Sequence, residues 1–72
     1  MSMSITAKYD DYEGVRNAED DLRSTGIESD RILIDKETNR IKVIIADTAH
    51  PEIEEILGRH NPVEVKEFHE ED

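Results

Sequence analysis

At 72 residues with a formal net charge of -10 and no cysteine, the chain is one small domain without disulfides, thiolate metal sites or a cysteine nucleophile. Nineteen acidic residues against nine basic ones argue against general nucleic-acid binding, in which Lys and Arg contacts to phosphate supply nearly all the non-specific affinity. Charged residues make up 39% of the chain, but Leu, Ile, Val and Phe together number 17, enough to predict a folded domain with a thin core rather than disorder.

The first element is a strand over Ser4–Tyr9, which alternates so that Ile5, Ala7 and Tyr9 share one face and Thr6 and Lys8 the other. Asp10 or Asp11 then caps a helix over Tyr12–Gly26, with Asp10 and Glu13 spaced as a capping box. Tyr12, Val15, Ala18 and Leu22 form its apolar stripe, Glu19 and Arg23 pair at i,i+4, and Gly26 supplies a left-handed end. Strands over Arg31–Asp35 and Arg40–Ala46 follow as a hairpin around Lys36–Asn39, with Ile32 and Ile34 on one face of the first and Ile41, Val43 and Ile45 on one face of the second.

Thr48 is the expected N-cap of a second helix over Pro51–Gly58, with Ile53, Ile56 and Leu57 as its stripe. Asn61 can take a left-handed conformation beyond it, and Pro62 prevents continuation. The last strand, Pro62–Phe68, turns Val63 and Val65 to the core and leaves His69–Asp72 as an acidic, fraying tail. The expected domain therefore spans residues 1–68.

The order strand, helix, strand, strand, helix, strand is that of a ferredoxin-like βαββαβ sandwich, an α+β fold. Two right-handed crossovers give an antiparallel sheet of order 4-1-3-2 with both helices on one face. By parity the uncovered face carries Lys8, Arg31, Leu33, Arg40, Lys42, Ile44, Lys66 and Phe68. An apolar strip rimmed by charge on a bare sheet is a contact surface, and another copy of the chain is the first partner to expect. Base stacking by exposed central-strand aromatics is not expected, because Thr6, Lys8, Lys42 and Ile44 stand at those positions.

Motifs for chemistry are sparse. His50 and Glu54 have the i,i+4 spacing of helical metal ligands, but His60 lies about two and a half turns further on and His69 falls in the tail. The expectation is no metal site and no cofactor. Asp10-Asp11, Asp20-Asp21 and Glu54-Glu55 are sequence neighbours and diverge on a helix. The three glycines are isolated and make no phosphate loop. Met1–Ala7 lacks the basic start and apolar stretch of a secretory signal, and the longest apolar run, Val43–Ala46, is far short of the roughly 20 residues of a membrane span. These residues predict a cytoplasmic, non-enzymatic protein that engages neither membrane nor nucleic acid.

Tyr9-Asp10, Gly14-Val15, Ala18, Leu22, Gly26-Ile27 and Asp30-Arg31-Ile32 resemble the opening of small bacterial general-stress protein domains of the heat-induced stress family. The resemblance covers residues 9–34, is structural in kind, and implies no catalytic residues. The whole outline is similar to ACT-type regulatory domains, which implies a small ligand at a dimer interface. Asp10-Asp11 replaces the glycine-containing turn of many such domains and makes an anionic corner that repels a carboxylate. Together these observations predict a homodimeric interaction or regulatory module acting through its open sheet face, with an ACT-like sensor of a small ligand or metal as the alternative.

Overall fold

A computed structural model of the chain describes residues 2–70. It is an α+β structure with strands β1 (Ser2–Lys8), β2 (Ile32–Asp35), β3 (Arg40–Ala46) and β4 (Glu64–Glu70), and helices α1 (Tyr12–Thr25) and α2 (His50–Gly58). Short 3-10 turns at Ser29–Arg31 and Asp47–Ala49 precede β2 and α2. The sheet is antiparallel throughout and its order is β2-β3-β1-β4, the expected 4-1-3-2 read from the other edge.

Both helices lie on the sheet face formed by the odd-numbered residues of β1, β3 and β4 and the even-numbered residues of β2. Met3, Ile5 and Ala7 of β1 and Ile41, Val43 and Ile45 of β3 are buried in one cluster with Val15, Ala18 and Leu22 of α1 and Ile53, Ile56 and Leu57 of α2. The period-two and period-3.6 patterns thus meet in a single layer, as apolar stripes must if each is to leave water.

Local chemistry sets the ends of α1. The Asp11 carboxylate, rather than that of Asp10, accepts the Gly14 N–H at 3.0 Å and caps the helix. At the other end Gly26 has φ 106°, and the Ile27 N–H returns to the Leu22 carbonyl at 3.2 Å in a Schellman closure. Asn39 and Asn61 both adopt φ 55°, closing the β2–β3 hairpin and the end of α2.

Four expectations need correction. β1 starts at Ser2, not Ser4, because it pairs along the whole of β3 from Lys8↔Arg40 to Ser2↔Ala46, and this brings Met3 into the core. Helix α2 starts at His50 behind Ala49, and Thr48 makes no cap. Val63 precedes β4 and is 58% exposed; Val65 faces the helices but stays 38% exposed, because β4 is an edge strand. β4 runs to Glu70, so His69 and Glu70 belong to the sheet rather than to a fraying tail; residues 71–72 lie outside the described residues.

Tyr9 joins three parts of the fold. Its N–H donates to the Asn39 carbonyl at 2.9 Å and its hydroxyl to the Leu57 carbonyl at 2.8 Å. Burial pushes the phenol up to about 12 from its ordinary 10.0. The folded state therefore holds this proton more tightly than the unfolded chain does. That stability is complete below pH 10 and is lost as pH rises toward about 12. Urea midpoints should therefore fall over this range, and the part due to Tyr9 should vanish in Tyr9→Phe. A Tyr9→Phe profile parallel to that of the native chain would contradict this role.

Candidate functional site

The face away from the helices carries the even-numbered residues of β1, β3 and β4 and the odd-numbered residues of β2. The registers arrange them in rows across the strands. The first row reads Glu64, Lys8, Arg40 and Asp35, so its charges run minus, plus, plus, minus. The second reads Lys66, Thr6, Lys42 and Leu33. The third reads Phe68, Ser4 and Ile44. Charge is thus concentrated in the first two rows, and the large apolar residues Phe68 and Ile44 stand in the third.

The registers bring together Lys8, Leu33, Arg40, Lys42, Ile44, Lys66 and Phe68 of the expected contact surface. Arg31 sits in the 3-10 turn before β2, outside the paired rows. Phe68 is 53% and Leu33 50% exposed, which is high for large apolar side chains in a sheet. Two shallow depressions of about 250 Å³ each mark the surface, one lined by Thr6, Lys8, Arg40, Glu64, Lys66 and Phe68, the other by Thr6, Leu33, Ile34, Asp35, Arg40 and Lys42.

Three members of the face were not anticipated from sequence. Glu64 and Asp35 close the ends of the ionic row. The Lys66 ammonium hydrogen-bonds Glu64 at 3.0 Å and, with the further attraction of Arg40 and Lys8, holds its carboxyl below the usual range. Ser4 lies between Ile44 and Phe68 with 1% exposure, and its Oγ has no hydrogen-bond partner. Its neighbours are large enough to cover a small residue even on an uncovered sheet. Strand alternation could have placed Ser4 and Glu64 here; their partners required the register.

The helix side holds a second group. His50, at the first position of α2, directs Nε2 at Glu54 Oε2 (2.9 Å) and at Glu67 Oε1 of β4 (2.6 Å). The donor atoms of the three residues all lie within 4.8 Å of one another. The hydrogen bond from His50 draws the Glu67 carboxyl below its ordinary range, with the nearby Glu54 and His69 acting in the same direction. The sequence shows the His50–Glu54 spacing but not Glu67, which the β4 register supplies. The other histidines do not join this group. His60 Nε2 meets Asp21 Oδ2 at 3.1 Å, where Arg59 also approaches at 3.6 Å, tying the end of α2 to α1. His69 lies further along β4, opposite Met3.

Of the neighbouring acidic pairs, the Asp11 carboxylate caps α1, and the Asp10 backbone carbonyl accepts from the Asn39 amide at 3.5 Å. The Ser24 hydroxyl donates to the Asp20 carbonyl within α1. Among the described residues no helix is long and apolar enough to cross a membrane. No family model, no curated protein and no solved structure matches the chain.

Proposed function

We propose that this chain is a ferredoxin-like, non-enzymatic interaction module that pairs with a second copy of itself through the open sheet face. The observation that carries the proposal is the ionic row beside the exposed Phe68. A row of minus, plus, plus, minus complements itself when one copy is turned over and shifted. A two-fold axis running along the strands between β4 and β1 lays β4 of each copy over β1 of the other. Glu64 then faces Lys8, Lys66 faces Thr6, and the exposed Phe68 rings of the two copies lie in the same row of the contact. An axis between β1 and β3 would instead set Lys8 against Arg40, and the like charges would oppose it. Symmetric self-pairing of this kind is the commonest route to an oligomer.

Sedimentation velocity over a wide range of protein concentration tests the proposal. The expected result is a dimer that weakens in Glu64→Lys and recovers in Glu64→Lys combined with Lys8→Glu. A protein that stays monomeric at the highest concentration rules out self-pairing. A dimer indifferent to both substitutions places the interface elsewhere.

A further inference from the structure

We propose that His50, Glu54 and Glu67 form a binding site for a divalent transition-metal ion, zinc being the best fit, with water completing the coordination. The site lies on the helix side of the sheet and is independent of the self-pairing face.

The donor set suits the ion. One imidazole and two carboxylates favour zinc or a neighbouring transition metal over magnesium and calcium, which prefer oxygen alone. Three protein ligands and one open position are the usual make-up of an accessible zinc site. The geometry is close to what is needed. With metal–ligand distances of about 2.0–2.1 Å, the edges of a tetrahedron are about 3.3 Å. The His50 nitrogen stands 2.9 Å from Glu54 and 2.6 Å from Glu67, so admitting an ion needs displacements of a few tenths of an ångström to somewhat under one.

The ligands are held by regular structure. His50 and Glu54 are one turn apart on α2, and Glu67 is fixed by β4 pairing with Ile5 of β1. The three side chains are 30%, 51% and 33% exposed, so an ion can reach them without unfolding. Charge favours it as well. Two carboxylates meet one imidazole, which even when protonated cancels only one of them, on a chain whose net charge is already -10. A divalent cation neutralises both. The first turn of α2 contributes a partial positive charge that works against the ion, but this is small beside two full negative charges at contact distance.

Titration of the metal-free protein with zinc chloride, followed by calorimetry and by thermal melting, tests the site. The expected result is a saturable isotherm with one zinc per chain and a melting temperature that rises with zinc concentration. Both effects should be lost in His50→Ala and in Glu67→Gln and kept in His60→Ala, whose imidazole pairs with Asp21 instead. Magnesium chloride at the same concentrations should leave the melting temperature unchanged. Glu67→Gln keeps the shape of an exposed side chain, and circular dichroism verifies its fold. The proposal is overturned if the native chain shows no saturable binding, if binding survives loss of His50 and Glu67, or if His60→Ala abolishes it equally.

Discussion

Leu22→Ala should leave the protein largely unfolded at ambient temperature. Leu22 is fully buried, it closes the stripe of α1 over the sheet, and its carbonyl receives the Ile27 N–H that ends the helix. Shortening a buried Leu to Ala removes apolar contact and leaves a cavity, at a cost of about 2–5 kcal/mol. A domain of this size seldom holds more than about 3–5 kcal/mol in reserve. The loss is therefore comparable to the whole stability. Thermal melting by circular dichroism should show a broad transition shifted far down, or none. A matching Asp20→Ala change, on the exposed side of the same helix, should stay within about 0.5 kcal/mol of the native chain. Equal behaviour of the two variants would mean that α1 does not hold the core.

Phe68→Lys should abolish self-association while leaving the monomer folded. Phe68 is half exposed on an edge strand, so about half of its surface is already in water in the monomer and the packing lost is confined to its own cover over Ser4. In the proposed pairing the second copy encloses its exposed ring, and a Lys there would bring an unpartnered ammonium into a dry contact. Each uncompensated buried charge costs about 3–5 kcal/mol and the two-fold contact would hold two, so the association constant should fall by more than roughly two orders of magnitude. Sedimentation should show a monomer at concentrations where the native chain is dimeric. An unchanged dimer would exclude the row of Phe68 and Ile44 from the interface. An unfolded variant would mean that Phe68 belongs to the fold of the monomer rather than to its contact surface.

Much of the architecture follows from the sequence alone. Short-range periodicity is enough to assign Ile5 and Ala7 to one face of a strand, and Val15, Ala18 and Leu22 to one stripe of a helix, because side-chain direction depends only on residue spacing within an element. Gly26 and Asn61 mark helix ends because few residues accept positive φ. The connection order then leaves one natural sheet, and the observed strand order is that one.

Tertiary structure decided where elements begin, what edge strands bury and which distant side chains meet. β1 reaches back to Ser2 because β3 offers it seven partners, a fact about β3 and not about residues 2–3. Val65 alternates correctly yet remains exposed, because parity reports a direction and burial requires something above it. Ser4 shows the opposite case, a polar residue buried on the bare face by the size of its neighbours Ile44 and Phe68. The ionic row and the His50–Glu54–Glu67 group depend on register, which couples residues tens of positions apart. Glu64 meets Lys8, and Glu67 meets His50, only because β4 returns beside β1 and under α2. Periodicity places residues within one element; long-range pairing determines which charges share a site, and that pairing carries the chemistry proposed for both faces.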